Sequence, residues 1–130
     1  MRYRRYGNTS VEVSVLGFGC MRFPEENGHF SRNKTIPMIH RAIELGVNHF
    51  DTARGYGESE EVLGMALKGR RDKVYVTTKS PYKGASGDEW QKVLDTSLEK
   101  LDMDYIDFYL YHFLKLDDFE KGLKIGRAHV

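Results

Sequence analysis

Several polar residues of types that carry protons follow short apolar runs along the chain. Asp51, Lys79 and His112 each end such a run, and Tyr56 lies shortly after Asp51. Each residue taken singly has an ordinary structural explanation. An aspartate at the end of a strand is typical of a loop cap, and a tyrosine between glycines is typical of a turn. A histidine on an apolar strand is typical of a core residue. Their occurrence at the ends of successive runs instead favours one shared site with an acid, a base, a phenol and an imidazole.

Such a set could protonate an oxygen. A tyrosine is a poor proton donor at neutral pH because its reference pKa is near 10, and lowering that value by about three units requires roughly 4 kcal/mol. A lysine ammonium about 4 Å away supplies about 1 kcal/mol in water and about 4 kcal/mol at an effective dielectric near 20. Lys79 would therefore have to be partly desolvated, and Asp51 would keep it charged. With this support, Tyr56 could protonate a carbonyl oxygen while hydride reaches the carbonyl carbon. His112 would orient that oxygen or share the proton.

A helical pattern of apolar residues occurs three times, and a short apolar run follows each occurrence. The predicted helices have their apolar positions at Ile36, Ile39, Ile43 and Leu45, at Val62, Leu63, Ala66 and Leu67, and at Val93, Leu94, Leu98 and Leu101. The predicted strands are residues 47–51, 74–79 and 106–112. An earlier strand is predicted from Val11, Val13, Val15 and Leu16 into Gly17-Phe18-Gly19, after a hairpin turned by Thr9 and Ser10.

The helix ends carry local signals. Pro37 is expected in the first turn of the first helix, and Gly46 is placed to end that helix. The second helix is predicted to begin near Ser59, with Glu60 and Glu61 favourable to the helix dipole in its first turn. The third opens with Ser86-Gly87-Asp88-Glu89, which has the spacing of a capping box.

Alternation of strands and helices predicts an α/β fold with a parallel sheet covered by helices. A doubly wound sheet is the alternative, but Gly17-Phe18-Gly19-Cys20-Met21 lacks the third glycine of a G-x-G-x-x-G motif and a long polar loop follows it. We therefore favour a (β/α)8 TIM barrel in the parent protein. A complete barrel needs roughly 250 residues, so this chain is expected to form a half-barrel of about four βα units with an N-terminal β-hairpin.

Composition excludes several classes of function. The chain has 130 residues, with Lys+Arg 20 against Asp+Glu 19, so its charge gives no reason to expect nucleic acid or an anionic membrane as partner. Cys20 is the only cysteine, which rules out an internal disulfide and a thiolate metal cluster. No apolar run approaches the roughly 20 residues of a membrane helix. We expect a cytoplasmic protein, with its oligomeric state left open.

The motifs together resemble the aldo-keto reductase family. The resemblance is carried by Tyr3-Arg4 to Gly7, Leu16-Gly17-Phe18-Gly19-Cys20-Met21, Phe50-Asp51-Thr52-Ala53 with Tyr56-Gly57, Ser59-Glu60-Glu61-Val62-Leu63-Gly64, Ala66-Leu67-Lys68, Thr78-Lys79, and Asp104-Tyr105-Ile106-Asp107-Phe108-Tyr109 with His112. It runs from about residue 2 to about residue 113.

The resemblance implies specific roles. Tyr56 would be the general acid/base, Lys79 and Asp51 would tune it, and His112 would position the carbonyl. The cofactor would be NADPH, with NADH as an alternative, bound without a Rossmann domain near Gly19, Cys20, Met21 and Asp51. The implied reaction is reversible reduction of a small-molecule aldehyde or ketone to an alcohol. The competing interpretation is a non-catalytic, nucleotide-binding regulatory subunit of the same fold.

Two further expectations concern the ends of the family pattern. The segment Gly19-Cys20-Met21-Arg22-Phe23-Pro24 resembles the corresponding segment in a branch of the family that carries a C-terminal ferredoxin-like domain. An iron–sulfur cluster is therefore expected only in a domain outside this chain. Residues 124–130 do not continue the family pattern and back-translate to a common sequencing-adapter sequence. We expect residues 1–123 to be the N-terminal part of the barrel and 124–130 a non-native tail. Because a half-barrel leaves two sheet edges unpaired, the chain alone is expected to be inactive.

Overall fold

The computed structural model describes residues 1–81 and 86–120. Its strands are β1 (Tyr3–Arg5), β2 (Glu12–Ser14), β3 (Phe18–Gly19), β4 (Glu25–Glu26), β5 (His29–Phe30), β6 (His49–Asp51), β7 (Tyr75–Pro81) and β8 (Phe108–His112). Its helices are α1 (Arg32–Glu44), α2 (Ser59–Leu67) and α3 (Gly87–Leu101), with a 3-10 turn at Arg71–Lys73, and residues 116–120 are also helical. The boundary expected after residue 123 and the tail expected at 124–130 lie outside the described residues. Within these residues, no helix is long and apolar enough to cross a membrane.

The main sheet contains β3, β6, β7 and β8, which lie side by side in chain order. All neighbouring pairs in it are parallel. The connections between successive strands contain α1, α2 and α3 in turn. This confirms the α/β fold and the repeating βα units, an arrangement found in parallel barrels. The antiparallel pair β1–β2 confirms the N-terminal hairpin.

The core lies between the sheet and its helices. Its largest fully buried apolar side chains are Ile39, Phe50, Val62, Leu63, Leu67, Val76 and Leu101. The predicted apolar face of α2 is confirmed, because all four of its positions are buried. Helices α2 and α3 approach closely at Gly64, where an added Cβ would lie 2.1 Å from the carbonyl oxygen of Leu101. A glycine at this position is therefore a packing requirement.

The β1–β2 hairpin packs against the amino ends of the sheet strands. The ring of Tyr6, which follows β1, stacks on Phe108 at 4.1 Å between centroids and meets His49 edge-on at 5.6 Å. Asn48 binds the hairpin through its amide, which accepts from Ser14 N at 2.6 Å and donates to Glu12 O at 3.0 Å. These contacts cover the amino end of the sheet.

Two predictions about the N-terminal segments are wrong. Residues 11–19 do not form one strand, because β2 pairs with β1 while only β3 joins the main sheet. The Ser14 hydroxyl donates to Leu16 O at 2.7 Å and stabilises the bend between the two strands. The expected polar loop contains the antiparallel pair β4–β5. Asn27 and Gly28 turn it with φ of 53° and 79°, as an Asn-Gly hairpin requires.

The first helix also differs from its prediction. It begins at Arg32, so Pro37 lies in its second turn and not in its first. Ile39 is fully buried as expected, but Leu45 is 56% exposed because it follows the last helical residue. Gly46 does end the helix, with φ of 89°. The start at Ser59 and the Ser86–Glu89 capping box are confirmed.

Candidate active site at the carboxyl end of the sheet

The four polar residues of the predicted site lie at one end of the main sheet. Asp51 is the last residue of β6, Lys79 lies in the second half of β7, and His112 is the last residue of β8. Tyr56 lies in the loop between β6 and α2. Because carboxyl ends of parallel strands meet at one edge, the sheet brings all four side chains together.

Lys79 occupies the centre of this group. Its Nζ donates to Oδ1 of Asp51 at 2.5 Å and to the carbonyl oxygen of Thr52 at 2.7 Å. The Lys79 side chain is 14% exposed and that of Asp51 is 38% exposed. The ammonium also lies 5.1 Å from the ring centroid of Tyr56, within the usual range for a cation–π contact. A largely desolvated positive charge therefore lies between a carboxylate and a phenol ring.

His112 also contacts the phenol ring of Tyr56. Its ring meets the Tyr56 ring edge-on, with centroids 5.5 Å apart and an angle of 82° between the planes. The exposed Phe113 also stacks on the imidazole, with ring centroids 4.0 Å apart. Burial lowers the pKa of His112, and the charge of Lys79 lowers it further, against the opposing charge of Asp51. The imidazole is therefore neutral at pH 7 and can donate a hydrogen bond.

Backbone hydrogen bonds fix the loop that carries Tyr56. Beyond the end of β6, Thr52 N donates to Thr77 O at 2.8 Å and Arg54 N donates to Lys79 O at 2.9 Å. The Tyr56 N–H donates to Ala53 O at 3.0 Å, which closes a tight turn. The loop thus continues the pairing with β7 as far as Arg54, and the position of Tyr56 depends on the sheet.

The residues expected to contact a cofactor lie beside this group. Gly19 pairs with Asp51 in the sheet register, and an added Cβ at Gly19 would meet no atom within 4 Å. The Cys20 N–H donates to Asp51 O at 2.8 Å, and its carbonyl accepts from Ser59 Oγ at 2.7 Å. Met21 is 53% exposed. The surface open to a ligand is therefore formed by Gly19, Met21 and Asp51, whereas the Cys20 backbone is held internally.

The Cys20 side chain is a buried thiol. Burial raises its pKa well above the ordinary value, and the charge of Asp51 adds to this effect. The thiol is therefore unsuited to act as a nucleophile at neutral pH.

Sequence reasoning missed a second polar group on the helix side of the sheet. The sequence predicted Glu60 only as a residue favourable to the helix dipole in the first turn of α2, and did not predict its burial; it is 1% exposed. Its carboxyl group accepts a hydrogen bond from Thr78 Oγ1 at 2.7 Å and lies 3.9 Å from Nη1 of Arg54. The buried hydroxyls of Thr52 and Ser59 also pair at 2.8 Å. Side chains alternate along a strand, so Thr78 lies on the face of the sheet opposite Lys79. This alternation was the sequence signal that could have indicated a polar group on the helix side.

Known proteins resemble the chain in sequence and in fold. Residues 15–119 match the model of the Aldo/keto reductase family. The chain is 34% identical over 130 residues to the oxidoreductase YqkF of Bacillus subtilis. That alignment covers 91% of this chain and 41% of YqkF. It is 32% identical over 137 residues to the NADH-specific methylglyoxal reductase of Escherichia coli, covering 87% of the chain and 42% of that protein.

A solved structure shows the same likeness in three dimensions. The aldo-keto reductase from Klebsiella pneumoniae in complex with NADPH superposes with a TM-score of 0.77 at 27% identity, covering 88% of this chain and 40% of that chain. The chain thus spans about two fifths of the length of these relatives. Its parallel sheet with helices corresponds to part of their TIM barrel. The matched residues include the strands and the loop that carry the polar group, and the chain belongs to the aldo/keto reductase family.

Proposed function

We propose that the protein to which this chain belongs reduces aldehydes or ketones to alcohols with a nicotinamide cofactor. The observation that supports this most strongly is the position of Lys79, whose ammonium contacts Asp51 at 2.5 Å and lies 5.1 Å from the ring of Tyr56. Family membership supports an oxidoreductase. A non-catalytic nucleotide-binding subunit is less favoured, because binding alone does not require a phenol beside a desolvated ammonium.

Tyr56 is the proton donor in this proposal. Its hydroxyl gives a proton to the carbonyl oxygen as negative charge develops there, which leaves a phenolate. The nearby ammonium of Lys79 attracts the negative charge that develops on the Tyr56 oxygen during this transfer, because opposite charges attract more strongly where water is largely excluded. Asp51 keeps Lys79 in place through their ion pair.

His112 orients the substrate in this proposal. Its lowered pKa leaves the imidazole neutral at pH 7, so it can donate a hydrogen bond to the carbonyl oxygen without adding a second positive charge beside Lys79. The ring lies edge-on to Tyr56. A carbonyl oxygen near both side chains would accept from the imidazole while it receives the proton from Tyr56.

The open surface beside Asp51 fits the ribose end of a nicotinamide cofactor. Asp51 is 38% exposed and offers carboxylate oxygens to a sugar hydroxyl, and Gly19 has no side chain to obstruct a ligand. Gly19, Cys20 and Met21 would line this end of the site, with Cys20 acting through its fixed backbone. A bound cofactor would supply the hydride to the carbonyl carbon. We propose NADPH, which the K. pneumoniae relative binds, although the E. coli relative is NADH-specific.

A hybrid enzyme tests this proposal. Residues 1–119 would replace the matching part of the K. pneumoniae enzyme, which is assayed alongside to set the level of activity. We expect the hybrid to oxidise NADPH only when an aldehyde or ketone is present, with one alcohol formed for each cofactor consumed. A folded hybrid that binds NADPH without carbonyl-dependent oxidation would contradict the proposal and favour the regulatory alternative. Assays with NADH and NADPH in parallel test the cofactor preference.

A further inference from the structure

Glu60 is a buried acidic residue at the start of a mostly apolar helix face. It is the second residue of α2 and is 1% exposed. Besides Ser59 and Gly64, the other residues that α2 buries are the apolar Val62, Leu63, Ala66 and Leu67. Burial of a carboxyl group costs free energy unless the group is paired and hydrogen-bonded, so its partners indicate why it is there.

The partners of Glu60 come from the two segments that carry the proposed catalytic pair. Thr78, which donates to Oε1 of Glu60 at 2.7 Å, directly precedes Lys79 on β7. Arg54, whose Nη1 lies 3.9 Å from Oε2, belongs to the same loop as Tyr56. Thr78 points to the helix side of the sheet, while Lys79 points to the opposite side, because side chains alternate along a strand. Glu60 therefore contacts both segments from outside the active site.

The loop around Tyr56 is anchored on both sides. Before Tyr56, Arg54 N donates to Lys79 O at 2.9 Å. After Tyr56, the Ser59 hydroxyl donates to Cys20 O at 2.7 Å, and Glu60 then reaches Thr78. The segment from Arg54 to Glu60 therefore contacts β7 at its first residue and again at its last. The hydrogen bond between Thr78 and Glu60 ties the returning end of the loop to the strand that bears Lys79.

We propose that Glu60 is a positioning residue, which holds the Tyr56 loop and the Lys79 end of β7 in fixed relation. This inference rests on the proposed roles of Tyr56 and Lys79 and assigns the residue that sets their separation. A directional hydrogen bond to Thr78 fixes the orientation of the strand end, which an apolar residue of similar volume cannot do. Replacing both partners of a buried polar pair with apolar residues is often neutral for stability, so fixed geometry explains a carboxyl group here better than a gain in stability does.

The inference can be tested in the 130-residue chain without any turnover. NMR titration of His112 reports on the position of Lys79, because the lysine charge contributes to the lowered pKa of that histidine. Lys79→Met gives the reference shift for complete loss of the charge. Glu60→Gln and Thr78→Val should each move the pKa of His112 upward in the same direction, and Thr78→Ser should restore the wild-type value. Thr78→Val keeps the test open if Glu60→Gln fails to fold.

Glu61→Gln is the matched control. Glu61 is the next residue of α2, and it accepts from Lys100 of α3 at 2.9 Å, away from the site. It should leave the His112 titration unchanged, even if it alters the melting temperature. Folded Glu60→Gln and Thr78→Val chains with a wild-type His112 titration would overturn the proposal. So would an unchanged titration in Lys79→Met, since Lys79 would then not face His112.

The proposed function can fail separately. If the hybrid enzyme does not reduce carbonyls, the catalytic roles are lost, while a shift of the His112 pKa in Glu60→Gln would still establish that Glu60 positions Lys79.

Discussion

Nζ of Lys79 lies 2.5 Å from Oδ1 of Asp51, although 28 residues separate them in the chain. They meet because β6 and β7 are parallel neighbours in which Asp51 pairs with Thr77. Lys79 lies two positions further along β7 and therefore points to the same face of the sheet. Its long side chain reaches back to Asp51 and to the carbonyl of Thr52. Sheet register therefore determines the ion pair, and the loop that carries Tyr56 is held against the same strand.

Gly64 should be intolerant of a side chain. An added Cβ would lie 2.1 Å from the backbone oxygen of Leu101, so Gly64→Ala must push α2 and α3 apart. We expect a loss of about 1–3 kcal/mol in the free energy of unfolding. Gly87→Ala is the control, because a Cβ there meets nothing within 4 Å and alanine favours the helix. Urea denaturation followed by circular dichroism measures both, and equal stability of the two variants would contradict the packing described.

Stability should depend on pH in the range where histidines titrate. Burial is the main cause of the lowered pKa of both His49 and His112, compared with an ordinary value of 6.5. Below the ordinary pKa of 6.5 the unfolded chain binds protons that the folded chain does not yet bind, so stability is full above about pH 7 and falls as the pH drops below 6.5. Urea denaturation at several pH values measures this.

His49→Gln should reduce that pH dependence. Its ring nitrogen lies 2.8 Å from Thr77 Oγ1, a contact that a glutamine amide can retain. The carboxyl groups with lowered pKa, such as Glu58, lose their contribution only as pH falls below about 4.5, outside this window. An unchanged slope in His49→Gln between about pH 5 and 7 would show that His49 does not contribute.

Cys20 should react only when the fold opens. The thiol is fully buried, and burial together with the charge of Asp51 raises its pKa far above the ordinary value. We expect alkylation by iodoacetamide at pH 8 to be at least about 100-fold slower in the folded chain than in urea, which corresponds to an opening free energy of about 3 kcal/mol or more. Rapid labelling without denaturant, read by mass spectrometry, would be inconsistent with the buried position of Cys20.

Much of the candidate site could be predicted from the order of elements alone. Asp51 and His112 end predicted strands, and Lys79 lies at the end of the run between them. Once the strands are parallel neighbours, their carboxyl ends must converge. Tyr56 could be included only because it follows Asp51 closely in the sequence, since the loop after β6 has no periodicity from which its path could be derived. The family resemblance supports its inclusion. The roles of these residues in catalysis remain predictions.

Other features depend on contacts between distant segments. A glutamate in the first turn of a helix is typical of an exposed residue, and the burial of Glu60 follows only from where Thr78 and Arg54 meet α2. The division of residues 11–19 into two strands depends on pairing with β1, which competes with pairing to β6. The β4–β5 hairpin differs from these cases, since Asn27-Gly28 is a local turn signal that predicts it.

The central claim is that Tyr56 donates the proton, and the most direct test compares two tyrosine variants of the hybrid enzyme. Tyr56→Phe removes the hydroxyl and keeps the ring beside Lys79, so kcat for carbonyl reduction should fall by about 100-fold to 10,000-fold, the range typical of a general acid. Tyr105→Phe is the control, because Tyr105 is 52% exposed, lies under Arg71 and follows α3 at the opposite end of the sheet. It should retain wild-type kcat. If Tyr56→Phe also retains wild-type kcat, with NADPH still bound, Tyr56 is not the proton donor.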